Sequence, residues 1–409
     1  MLNSSFLNKD GKIGLMLQVK ESHLAEYGKY PEVVVSAPGR FHLIGENTWF
    51  FRDKALSMAV NLPVYVSISK RDDNVVKFYF TQLDDRKKAN LSNLKFKKED
   101  RWANAIKSVL YGFLSGGVSL GGMDITVYSS ILPSAGFGIT TAIKVAVAKA
   151  VWNIFALHFD EAMIVQVVER GNRLFLLQEN HNADNFAAIY ARKGFLICTD
   201  YYRNSYEHVP FDFEDKKVIL VDAKVPRYEM WNRETLYEPE NALILGDLRE
   251  EKKNLFGGWH YISDVTDINE ALSSVSEDTR RKLLCVIREH GDVLDAVQAC
   301  EKKDFVRFAR SVNHSHESLR DFFDLSCPEI EWLVKRVADI DPTIDDIRNP
   351  VSCGRITGKG FGRCMYAILR KDDVPKFESK LDEYERIFGF RPECYDVESA
   401  DGVRIIEDD

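Results

Sequence analysis

The chain has 409 residues, 45% of them hydrophobic and 29% charged, with a formal net charge of −8. That length buries a large core and predicts two domains; the composition is ordinary for a globular protein, and an acidic balance without a basic block argues against nucleic acid as a partner. No apolar run reaches the roughly 18 residues that span a bilayer, residues 1–11 are polar with no signal-peptide core, and the seven cysteines form no Cys-x-x-Cys pair, so the chain reads as cytoplasmic, with reduced thiols and no membrane partner.

Along the chain, 33–35 and 64–69 read as strands, the second through β-branched alternation. Between them, Arg40, His42, Glu46 and Asn47 stand beside Gly39 and Gly45. A strand entering a Gly-rich turn with charged side chains presents chemistry at a sheet edge; alone, it reads equally as a turn with incidental charges. Residues 102–113 have helical spacing, with Trp102, Ile106, Val109 and Leu110 on one side. A strand over 123–128 and a turn over 133–138 precede an Ala/Val-rich helix over 140–155. A glycine-containing loop that opens a helix exposes N–H groups and the positive end of the helix dipole, which suits phosphate. Thr140 and Thr141 offer hydroxyls to phosphate or Mg²⁺, although a plain helix cap by Thr140 explains the stretch as well. No Gly-Lys-Ser/Thr follows, so this is not a Walker loop. Strands are predicted over 195–199 and 218–222, with the polar 204–208 as a candidate domain boundary. Residues 241–337 are mostly helical in pattern. The stretch 354–364 holds four glycines in nine residues, and precedes a strand over 365–369, a helix over 374–388 and a strand over 393–397. The mixture predicts α+β or α/β architecture.

In order and spacing, the stretches 35–60, 131–142 and 354–364 resemble the galactokinases, within the GHMP small-molecule kinases. So do 101–109, similar to the family's adenine-sheltering helix, 313–321 with 325–330, and the ending 384–403 with Gly389, Pro392, Tyr395 and Gly402. The similarity spans about residues 30–403. It implies an α+β GHMP fold: a domain over 14–205 like ribosomal protein S5 domain 2, a ferredoxin-like domain over 206–409, and an active site between them. It further implies a monomeric ATP-dependent sugar-1-kinase that uses Mg²⁺ and phosphorylates the anomeric hydroxyl of galactose or a related sugar. Carried over by position, Arg40 and Asp184 are the catalytic residues. An Arg beside an Asp is chemically sensible, because the cation keeps the carboxylate ionised to receive a hydroxyl proton. Glu46, Asn47, Trp49 and His181 fall on the sugar side. Trp102, Pro133, Ala135, Gly136, Phe137, Gly138, Ile139, Thr140 and Thr141 fall on the nucleotide side, Thr140 also as a Mg²⁺ ligand.

Several positions depart from the family. Its signature reads Glu-His-Thr-Asp-Tyr where this chain has Glu46-Asn47-Thr48-Trp49-Phe50. The missing Asp accepts sugar hydrogen bonds, whereas an indole only donates. His181 replaces a small glycine. The family's Mg²⁺-binding Glu, within 170–175, is here Gly171 or Asn172. Lys359 and Arg363 stand where small residues are usual. Two readings follow: a sugar kinase, or a galactokinase-derived binding or regulatory protein without turnover.

Overall fold

The computed structural model describes residues 9–47, 53–129, 137–155, 157, 160–178, 182–225, 273, 276–340, 348–358 and 364–407. In chain order the elements are α1 (Lys9–Tyr27), β1 (Val33–Ile44), β2 (Lys54–Lys70), β3 (Val75–Phe80), β4 (Asp85–Asn90), α2 (Ala103–Ser115), β5 (Met123–Ser129), α3 (Ile139–Ile154), α4 (Glu161–Gly171), α5 (Asn182–Tyr190), β6 (Phe195–Asp200), β7 (Ser205–Pro210), β8 (Lys216–Asp222), α6 (Glu277–Glu301), α7 (Phe305–Phe323), α8 (Pro328–Ala338), β9 (Cys353–Thr357), β10 (Cys364–Arg370), α9 (Val374–Phe388), β11 (Glu393–Val397) and β12 (Arg404–Ile405). They form two compact units, 1–40 with 59–192 and 400–409, and 41–58 with 193–399. The architecture is α+β.

In the first unit the strands follow the order β12-β1-β2-β5-β3-β4. Strand β3 runs parallel to β5, while the β3–β4 hairpin is antiparallel. Helix α3 is mostly apolar and largely buried, and it packs among α2, α4 and α5. In the second unit, residues 54–57 of β2 pair with β6, and β6 with β7. A separate four-stranded antiparallel sheet runs β11-β8-β10-β9. Leu319, Ile330, Leu333, Ile356, Met365 and Phe377 belong to the apolar core on which that sheet and its helices close. Asp304 caps α7, accepting from the Arg307 N–H at 3.0 Å. Gly389 ends α9 at φ 80°, a left-handed conformation that only glycine adopts without strain.

The helix over 374–388 and the strand over 393–397 stand where the pattern put them. The first strand is much longer than expected: it runs through the charged signature, so Pro38, Arg40 and His42 lie within β1 and the turn begins only at Gly45. Likewise β2 starts at Lys54, ten residues before its alternation becomes legible. The polar 204–208 are not a loop throughout. They form a turn and most of β7, an edge strand in which Ser205, Tyr206 and Glu207 are exposed and Val209 is buried, and that exposure weakens the apolar signal. Hairpin β3–β4, helices α1, α4 and α5 and strand β9 were not read from the sequence. In 241–337, Ser273 is helical, α6 begins at Glu277, and 241–272 lie outside the described residues. No described helix is long and apolar enough to cross a membrane. No disulfide joins any of the seven cysteines.

Candidate active site

In the first unit, Arg40 and Asp184 come together. Arg40 stands late in β1, and Asp184 in the first turn of α5, where the positive end of the helix dipole favours a carboxylate. The Arg40 Nη2 donates to Asp184 Oδ2 in an ion pair that is mostly buried. Arg40 Nε is also buried and donates to no described group. A buried unbonded donor is costly, so this N–H is available to a ligand. The start of α3 lies against the same arginine. Arg40 N–H donates to Phe137 O at 3.0 Å. Gly138, at φ 73°, caps α3, and a Cβ there would fall 2.7 Å from Arg40 Cγ. Only glycine admits that approach. The N-cap is thus Gly138 and not Thr140, which is exposed in the first turn. The N–H groups of that turn, which have no carbonyl partner within the helix, lie near the Arg40–Asp184 pair.

A further cation sits here that the sequence reading passed over. Lys144, inside α3, is buried, and its Nζ donates to Asn172 Oδ1 at 2.6 Å. Burial pulls its ammonium down to about 8, and Asp184 acts in the opposite direction. Asn172 opens a π-helical turn, Asn172–Leu176, that continues α4. Such turns recur at functional sites. The one visible signal was a lone lysine in the run 142–148, otherwise wholly Ala, Val and Ile.

The second unit holds the turn after β1. Gly45, at φ 90°, has Lys54 O only 2.3 Å from where a Cβ would stand. Its N–H donates to Glu289 Oε2 at 2.9 Å. Glu46 is held by Arg355, whose Nη1 and Nη2 donate to its two carboxylate oxygens at 2.8 and 2.9 Å. Arg355 Nη2 also meets Glu289 at 3.3 Å, and Ser315 donates to Glu289. Arg355 is fully buried. Thr357 Oγ1 and Tyr366 O–H donate to the carbonyls of His42 and Leu43. Glu46, read as a sugar ligand, therefore spends both oxygens on an internal fork.

Burial raises the Glu289 carboxyl to about 7, against the pull of Arg355; Glu46 adds to the rise, Ser315 opposes it and Asp292 adds a little. The folded chain then holds this proton more tightly than the unfolded chain. Glu289 should thus cost stability as pH rises from about 4.5 through 7. Replacing Glu289 with Gln keeps an acceptor for Gly45 and should flatten that fall. Denaturant midpoints of both proteins at pH 5 and pH 7 check this; parallel curves would exclude Glu289 as the titrating group.

Of the other expected residues, Asn47 is buried in the second unit. Trp102 is buried at the start of α2, its indole N–H bonded to Asp85 Oδ2 at 2.9 Å and its ring edge-on to Phe80. Ile139 is buried and Thr141 half-buried in the first turn of α3. Trp49, Pro133, Ala135, Gly136, His181, Lys359 and Arg363 lie outside the described residues. Arg355 and Glu289 were missed because their meaning is a distant pairing.

The galactokinase galactose-binding signature matches residues 21–70, and the GHMP kinase N-terminal domain matches 103–192. A Treponema pallidum (strain Nichols) protein assigned to the galactokinases is 37% identical over 402 residues, 96% of this chain and 97% of its own. The chain belongs to the galactokinase family. A Streptococcus thermophilus galactokinase is 25% identical, covering 95% of this chain and 99% of its own. Lactococcus lactis galactokinase, solved with galactose, superposes with a TM-score of 0.80 at 20% identity, over 95% of this chain and 99% of that one. A mevalonate kinase structure follows at 0.60, with 16% identity, 90% of this chain and 99% of that one. As a member of the galactokinase family and of the GHMP kinase fold, the chain is an ATP-dependent sugar kinase.

Proposed function

We propose that this chain transfers the γ-phosphoryl group of ATP to the anomeric hydroxyl of galactose or a close relative. The observation that carries this is the Arg40–Asp184 pair lying against the start of α3. In the transfer, the sugar hydroxyl oxygen bonds to the γ-phosphorus and the bond to the bridging oxygen of ADP breaks. The hydroxyl proton passes to Asp184 and then to solvent. Arg40 keeps Asp184 ionised before the step, and its charge opposes the negative charge on the phosphoryl oxygens during it. The first-turn N–H groups of α3 hold phosphate. Within the same proposal, residues 14–205 and 206–409 are the two inherited halves. The four-stranded antiparallel sheet with its helices supports the ferredoxin-like character of the second.

The Mg²⁺ expected at Thr140 fits this donor set poorly. Asn172 offers an amide, and Asp184 is bonded to Arg40. Among the described residues no group of three His, Cys, Asp or Glu side chains is placed to hold a metal ion.

The test is a phosphotransfer assay with ATP over a panel of hexoses, with the product's phosphate located at C1. Turnover of galactose or of an epimer or deoxy analogue is the expected result. Binding of nucleotide and sugar without product would favour the regulatory reading. Galactose itself should bind at least about tenfold more weakly than to a signature carrying the Asp, because Trp49 removes an acceptor whose charge-assisted bond contributes about 1.5–3 kcal/mol. Trp49→Asp combined with Asn47→His should recover it. Tight galactose binding by the unaltered chain, unimproved by the pair, would refute this account of specificity.

A further inference from the structure

Asn172 lies in the segment where the family carries its metal-binding Glu, and here that segment provides no carboxylate. Its amide oxygen instead accepts from the buried Lys144 ammonium at 2.6 Å. An amide dipole cannot neutralise an ammonium, and burying a charge without a charged partner costs several kcal/mol. The nearest carboxylate acting on Lys144 is Asp184, itself bonded to Arg40. Arg40, Lys144 and Asp184 together carry +1 + 1 − 1 = +1. Lys144 with a neutral Asn172 carries one positive charge, as does a Glu carboxylate holding a divalent cation. The Lys144–Asn172 pair therefore carries the charge that a carboxylate-held divalent ion would carry there.

Place agrees with charge. Lys144 is six residues beyond the Gly138 cap of α3, a rise of about 9 Å at 1.5 Å per residue. Asp184, which acts on the Lys144 ammonium, is bonded to the Arg40 that lies against the Gly138 cap, so the lysine belongs to the same cluster as the turn proposed to hold phosphate. Surplus buried positive charge beside that turn is stabilised by an arriving polyphosphate.

We propose that the Lys144 ammonium supplies the fixed positive charge that a carboxylate-held divalent ion supplies in other members of the family, so that this kinase binds and uses ATP without a protein-bound metal. The proposal rests on the sugar-kinase reading for its catalytic half, while its binding half stands alone. Its test is calorimetric titration of the chain with ATP, in Mg²⁺ and then in excess EDTA, followed by phosphotransfer in the same two solutions. ATP affinity and turnover should each stay within about tenfold on removing the metal. Lys144→Met preserves chain length and should lose about a hundredfold in ATP affinity in EDTA. Lys144→Met with Asn172→Glu should bind ATP well in Mg²⁺ only. A loss of more than about tenfold by the wild-type chain in EDTA would overturn the proposal, and that comparison decides even where Lys144→Met does not fold. Phosphorylation that appears in Mg²⁺ and vanishes in EDTA refutes the metal-independent step and leaves the kinase reading intact. Absence of phosphorylation in both solutions refutes the kinase reading, and the ATP titrations then decide the role of Lys144.

Discussion

Asp184→Asn is expected to lower kcat by about a thousandfold, within the 10²–10⁴ range of a positioned proton acceptor. The substitution keeps the shape of the side chain and an oxygen for the Arg40 guanidinium, so the fold and the start of α5 should persist. What disappears is the negative charge that takes the hydroxyl proton. A thousandfold is about 4 kcal/mol of transition-state stabilisation, more than a neutral hydrogen bond supplies. The effect should fall on kcat rather than on the KM for sugar, because the proton moves only as the phosphoryl group transfers. Removing Asp184 also leaves Arg40 and Lys144 as two buried cations without a carboxylate. Nucleotide affinity should therefore hold or rise while turnover collapses. Steady-state kinetics beside a thermal melt separate these outcomes. Near-wild-type turnover in a folded Asp184→Asn protein would take this residue out of the mechanism.

The largest effect on stability is expected at Arg355. Arg355→Met should cost about 3–5 kcal/mol, the usual consequence of removing one partner of a buried charge network. The guanidinium serves Glu46 through two bonds and Glu289 through a third, and receives none of its stabilisation from water. Without it, two buried carboxylates face each other. The loss should shrink at low pH. Glu289 already holds its proton to about 7 with the arginine present, and without that cation it would hold it higher still. Denaturant unfolding at pH 5 and pH 7 measures both the size and the trend. A cost below about 1 kcal/mol would show that the fork contributes no more than an exposed ion pair. The same variant should raise the KM for sugar, since Glu46 and the Gly45 N–H, bonded to Glu289, fix the turn that carries the rest of the signature.

Much of this molecule follows from local sequence. Apolar periodicity located α2, Ala/Val content located α3, and β-branched alternation located part of β2. The charged signature and the loop before α3 were legible as motifs. Arg40 and Asp184, 144 positions apart, were paired by resemblance, and folding brings them into contact. Other features had no local trace. The edge strand β7 looks like a linker because most of its residues are exposed and only Val209 is buried. The β1 extension through Arg40 and His42 looks like a turn because its charged residues are buried against distant partners. Glu46 reads as a ligand in the sequence, and the structure adds its tie to Arg355, which only folding delivers to it. The lone lysine in the α3 run carries no message until the π-helical turn sets Asn172 against it. Sequence alone determined the fold class and the family, through periodicity and short motifs that act over a few residues. Tertiary structure decided which charges meet, because the energy of a buried charge depends on partners that the chain supplies from far away.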